Sequence, residues 1–196
     1  MIIIILCSCN KAPEFENVTD DEIYAIVNTV LRNDNKKNKI PIYESYSEII
    51  LIGNGKYAVN EYLDVIRIDT NTNNYEIDLS TNQSRIHIET LFKLKYLNSY
   101  FVNFNDIVYF KQQIRNSQNF EIKFNNIELK EKIVLTDIKK RKSNYIQLSK
   151  PIVNQTKTKA VIIITAISEW GQSLVVLLKK ENNRWHIVGF QELWVS

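Results

Sequence analysis

Ala160-Val161-Ile162-Ile163-Ile164-Thr165, Leu174-Val175-Val176-Leu177-Leu178 and Trp185-His186-Ile187-Val188-Gly189-Phe190 follow one another in the C-terminal third of the chain. Side chains branched at Cβ and aromatic rings fit a pleated, half-buried surface better than a helix, so each run predicts a strand. Glu169-Trp170-Gly171-Gln172 connects the first two, and Glu181-Asn182-Asn183-Arg184 is of hairpin length between the last two. Lys179 and Lys180 mark the end of the middle strand. The prediction is a three-stranded antiparallel meander that closes the chain.

Working back toward the N-terminus, the next firm element is a helix. Thr19 is placed to cap it, Glu22 stands three residues on as in a capping box, and Asp20 and Asp21 suit the positive helix end. Ile23, Ile26, Val27, Val30 and Leu31 then fall on one stripe at helical spacing, and the polar run from Arg32 to Lys39 ends it. A second helix is predicted over 106–114, with Ile107, Phe110 and Ile114 on one face. Between the helices lie an apolar run, Ile49 to Ile52, stopped by Gly53-Asn54-Gly55, and segments around Leu63 to Ile68, Tyr75 to Leu79 and Ile86 to Ile88 that read as extended. Phe120-Glu121-Ile122-Lys123-Phe124 alternates strictly and predicts another strand.

The resulting class is α+β: an N-terminal amphipathic helix and a second helix packed on a mainly antiparallel sheet ending in the meander. At 196 residues, 44% hydrophobic and 24% charged, the chain can build one sizeable core. We therefore expect one domain over residues 19–196, with residues 40–104 as the region that could form a small β subdomain of its own.

Leu6-Cys7-Ser8-Cys9, behind the apolar run Met1 to Ile5, resembles a bacterial lipobox. The strand, the Leu-Leu-Lys-Lys sequence, the Asn-Asn-Arg-Trp turn and the closing Leu193-Trp194-Val195-Ser196 look like the ending of small uncharacterised bacterial lipoproteins. The resemblance implies that residues 1–8 are the remnant of a truncated signal peptide, since no Lys or Arg precedes Cys9. It also implies that Cys9 carries fatty acyl chains such as palmitate, and that residues 9–18 tether the domain to a membrane of the bacterial cell envelope. The outer membrane, on its periplasmic or surface side, is the expected location. Three acyl chains, at about 0.8 kcal/mol per buried methylene, hold a protein on a bilayer without a spanning helix. The competing reading of the first nine residues is a buried apolar strand with two ordinary cysteines.

Composition narrows the chemistry. A net charge of +3 is too small for a nucleic-acid surface, and the one basic cluster, Lys139-Lys140-Arg141-Lys142, reads as a solvated turn. Beyond Cys7 and Cys9 there is no thiol, and neither His87 nor His186 has a partner at zinc-ligand spacing, so no metal and no cofactor is expected. Nucleophile-elbow and phosphate-loop motifs are missing from a chain with 4 glycines. Trp170 beside Gly171 and Glu169 is the expected contact with a ligand or partner, while Trp185 and Trp194 read as core. The functional expectation is a non-catalytic domain that binds an envelope protein, a peptide or a small ligand. The alternative is a glycan-directed hydrolase with paired carboxylates, for which Asp106, Glu169 and Glu192 are the candidates.

Overall fold

A computed structural model describes residues 15–32, 40, 49–52, 66–69, 74–77, 104–116, 121–128, 133–136, 145–167 and 171–195. Two α-helices lie among them, α1 (Asp20–Arg32) and α2 (Phe104–Asn116). The strands are β1 (Ile49–Ile52), β2 (Ile66–Asp69), β3 (Asn74–Ile77), β4 (Ile133–Thr136), β5 (Tyr145–Leu148), β6 (Ile152–Val153), β7 (Lys159–Ile167), β8 (Gln172–Glu181) and β9 (Arg184–Val195). One seven-stranded sheet runs β4-β1-β5-β7-β8-β9 with β6 also on β7, and β2 pairs with β3 apart from it. The architecture is α+β, and β5 to β9 form its antiparallel part.

The meander forms as its composition predicts. Asn182 and Asn183 have φ values of 48° and 62°, the left-handed pair whose twist matches a two-residue hairpin. Strands β7 and β8 are buried on both faces, as expected of apolar runs that do not alternate with polar residues. Ala160, Ile162, Ile164, Leu174, Val176 and Leu178 point to one face and join a single cluster with the buried stripe of α1. Strand β9 carries two extra residues against β8, Val188 and Leu193, where the register shifts. Bulges of this kind bend an outer strand.

Helix α1 begins and ends where its sequence signals stand. The Glu22 amide donates to Thr19 Oγ1 at 3.3 Å, but the reciprocal half of the capping box is replaced. Glu22 carboxylate oxygens accept from Lys180 Nζ at 3.0 and 3.1 Å and from the Trp185 indole Nε1 at 2.9 Å. A charge-assisted bond from a half-buried ammonium outweighs a bond to a single backbone amide. Helix α1 is thereby pinned to β8 and β9 by its first turn. The Lys180 and Glu22 side chains are only 22% and 18% exposed, so the pair is shielded more than a surface ion pair. We expect Glu22→Ala to cost about 1.5–3 kcal/mol in urea unfolding and Glu22→Gln less, because the amide oxygen still accepts the indole N–H.

Helix α2 buries Asp106, Tyr109, Phe110 and Gln113, a stripe in which two positions are polar. Strand β6 explains them. Val153 lies opposite Ala160 of β7, and the neighbouring Asn154 amide bonds Lys159, so Val153 turns its own N–H and C=O away from β7. Gln113 takes both, accepting from the Val153 N–H at 2.9 Å and donating to its C=O at 2.7 Å. Asp106 accepts the next outward amide, that of Gln155, at 2.9 Å. Side chains of α2 thus stand in for a neighbouring strand. Between β5 and β6 the pairing with β7 gains one residue, and the Ser149 hydroxyl accepts the Ile163 amide at 2.9 Å across the gap.

Two features depart from the sequence reading. The alternating stretch at 120–124 does not form a strand over its described residues: Glu121 makes an isolated bridge and Phe124–Asn126 is a 3-10 turn. Ile122 and Ile127 anchor it in the core, while the Lys123 amide donates to the Tyr24 hydroxyl of α1. Buried Asn28 holds the same segment, donating to the Asn126 carbonyl at 3.0 Å and accepting the Glu128 amide at 3.0 Å. Strand β1 inserts between β4 and β5 and is parallel to both, a pairing that the local pattern did not announce. In the middle region β2 and β3 form an antiparallel hairpin, and Ile86 to Ile88 lie outside the described residues.

Candidate functional site

A concavity among the described residues lies between α1 and β9. It is an open groove of about 680 Å³, within the range of ligand sites. One wall is Ala25, Thr29 and Arg32, a row at helical spacing on the side of α1 next to its buried stripe. The other is the run Asn183 to Ile187 at the start of β9, and Glu128 closes one end. Hydrophobic burial positions these walls: Trp185 and Ile187 pack into the core cluster beside α1, which brings the strand alongside the helix.

Charge in the groove is mainly positive. Arg32 Nη1 pairs with the Glu128 carboxylate at 2.7 Å, both side chains being largely exposed. Arg184 and His186 are exposed as well. The Thr29 hydroxyl is committed to the Ala25 carbonyl at 2.8 Å. Among the described residues that line the groove, Glu128 is the one carboxylate.

Cys9, Glu169, Trp170, His87 and the basic cluster 139–142 lie outside the described residues. Gly171 is buried just before β8. Asp106 is buried and structural, serving the Gln155 amide, and Glu192 is exposed on β9 with Gln172 Nε2 at 3.3 Å. Trp185 is core, as expected, and Trp194 stands opposite Ser173 on β9. The groove residues were missed because they come from three separated segments. The one usable signal was the exposed row beside the apolar stripe of α1. No group of His, Cys, Asp and Glu suited to a metal occurs among the described residues, and no described helix is long and apolar enough to cross a membrane.

Titration shifts occur at the tyrosines that tie the helices down. Burial pushes the phenols of Tyr24 and Tyr109 above their ordinary value near 10. Tyr109 donates to the Glu16 carbonyl at 3.0 Å. A raised folded-state pKa means that the unfolded chain loses these protons first. The stability they confer is therefore complete below about pH 10 and is lost as pH rises through the folded-state values. Burial of Lys150 lowers its pKa and acts in the opposite direction. We expect the urea midpoint to fall from pH 9.5 to about pH 11, and Tyr24→Phe to flatten that fall, with one fewer late-titrating phenol by ultraviolet absorbance.

Compared with protein families, with curated proteins and with solved structures, the chain matches none.

Proposed function

We propose that this protein is a lipid-anchored lipoprotein of the bacterial cell envelope whose folded part is a non-catalytic binding domain, with Phe15 to Val18 at the end of the tether packed against it. The observation that carries the anchor is Leu6-Cys7-Ser8-Cys9 followed by the polar, proline-containing stretch 10–18. A two-helix α+β body ending in a meander would then project from the membrane, on the periplasmic or surface side of the outer membrane. The binding role is supported by the open groove beside β9, whose described lining includes Arg32 paired with Glu128 and the exposed Arg184. The Trp170-Gly171 turn is a second contact region in this reading.

Mass spectrometry of the protein isolated from its native cell tests the anchor. The expected species begins at Cys9, carries acyl mass and partitions into detergent. Cys9→Ser should abolish both the acyl mass and the membrane association. A chain that retains Met1 and stays in the aqueous fraction would overturn the assignment.

A further inference from the structure

Residues Phe15 to Val18 join the fold before the first helix begins. Phe15 and Val18 pack against the core cluster, and the Phe15 ring stands 5.0 Å from that of Tyr109 on α2. The Tyr109 hydroxyl donates to the Glu16 carbonyl at 3.0 Å, and the Glu16 carboxylate accepts from Lys157 Nζ at 2.7 Å. The Glu16 side chain is 82% exposed, so that ion pair adds little, and the packing of Phe15 and Val18 with the phenol bond carries the attachment. The attachment lies at one end of the sheet. Lys157 belongs to the turn between β6 and β7, and the amide of Lys180, two residues before the Asn182-Asn183 hairpin, donates to the Thr158 carbonyl at 2.8 Å. The two turns are therefore neighbours, and the start of α1 joins them where Glu22 meets Lys180 and Trp185. Gln172 and Glu192, with Nε2 and Oε2 at 3.3 Å, mark the other end. Strands β7 and β8, of 9 and 10 residues, separate the two ends by about 25–30 Å.

Cys9 stands six residues before Phe15, a reach of at most about 22 Å even in a fully extended chain. A lipid on Cys9 thus keeps the attached end of the sheet within that distance of the bilayer, while the strands carry the other end farther than the tether is long. The attached end also has the chemistry of a headgroup contact. Asp20 with Lys123, Glu16 with Lys157, Glu181 with Lys179 and Glu22 with Lys180 set paired charges there, which a hydrated headgroup layer accepts and hydrocarbon does not. We propose that the docked segment 15–18 holds the end of the sheet with the 154–158 and 181–184 turns against the headgroup layer of the bilayer that carries the acyl chains, and directs Gln172 and Glu192 away from it. This rests on the lipid anchor proposed above and is independent of the groove.

The test uses the acylated full chain on vesicles of phosphatidylethanolamine and phosphatidylglycerol that contain a lipid with a nitroxide on its headgroup. Gln155→Cys or Glu192→Cys, each at an exposed position, supplies a thiol for a fluorophore, since the acylated thiol of Cys9 does not react. We expect the nitroxide to quench the label at 155 at least about twofold more than the label at 192, because the two sites differ in height by the length of a strand. Ten glycine and serine residues inserted after Ala12 should bring the two labels close to equal, since a flexible insert of that length adds about 17 Å of average reach. Phe15→Ser combined with Glu16→Lys should shrink the difference in the same direction while the acyl chains keep the protein on the vesicles. Circular dichroism shows whether each variant keeps its fold. A parent protein that does not associate with the vesicles overturns the anchor, and this orientation with it. A vesicle-bound parent whose labels are quenched equally, or whose label at 192 is quenched more, overturns the orientation alone. A difference that persists undiminished with the lengthened tether overturns the role given to the docked segment.

Discussion

Replacing Gln113 with alanine is expected to destabilise the fold by about 3 kcal/mol, because it strands two backbone groups where water does not reach. Val153 is fully buried, and its N–H and C=O are both satisfied by the one amide of Gln113, at 2.9 and 2.7 Å. An unsatisfied buried donor or acceptor costs about 1–3 kcal/mol, and this truncation leaves one of each. Leucine at the position restores volume without restoring the bonds, so Gln113→Leu should recover little. Gln113→Glu keeps the acceptor for the Val153 N–H but sets a carboxylate against the Val153 carbonyl. It should remain well below the parent and gain stability as pH falls and the carboxyl protonates, since a donor then returns. Urea midpoints at pH 7 and pH 4.5 measure both. A loss below about 1 kcal/mol for Gln113→Ala would show that α2 is not what closes the β6 edge.

Ile26→Ala should be at least as damaging, at about 3–5 kcal/mol, for a different reason. Ile26 is fully buried in the stripe by which α1 covers the sheet, among the residues that enclose Ile162, Ile164 and Val176. Its truncation removes the transfer free energy of three carbons and leaves a cavity between a helix and a sheet that are each tied elsewhere. The helix is held at one end by Glu22 on Lys180 and Trp185, and farther along by Asn28 on the 126–128 segment, so it cannot settle into the gap. Set against a total of about 5–15 kcal/mol for ordinary domains, that loss is a large share of the stability. A melting temperature lower by about 6–20 °C is the corresponding observation. Thr29→Ala, one turn along on the exposed row, is the contrast: its hydroxyl bonds only the helix's own carbonyl, and a change within about 0.5 kcal/mol is expected.

The departures from the sequence reading share a cause. Phe120 to Phe124 alternates as a strand would, yet the period records only which side chains are buried. Here Ile122 and Ile127 are buried in the same core as α1 on either side of the 3-10 turn. The partners of Asn28, Asp106 and Gln113 could not be read locally, because a polar residue on a helix carries no mark of the backbone group it will meet about 100, 49 or 40 residues away. The groove is hidden in the same way: its walls come from separate segments of the chain until α1 and β9 are placed side by side.

By itself the sequence determined what rests on neighbours along the chain. The apolar runs at 160–165, 174–178 and 185–190 specified strands, the two asparagines between Glu181 and Arg184 specified the hairpin, and Thr19 with the stripe from Ile23 to Leu31 specified a capped helix. In each case the burial period or the turn geometry is a property of a few consecutive residues. Only the tertiary structure decided that β1 runs parallel between β4 and β5, that Glu22 leaves its capping box for Lys180 and Trp185, and that one side of α1 and the start of β9 enclose a groove. Those outcomes depend on which distant polar groups lose water together, and that competition is settled only when the whole chain is packed.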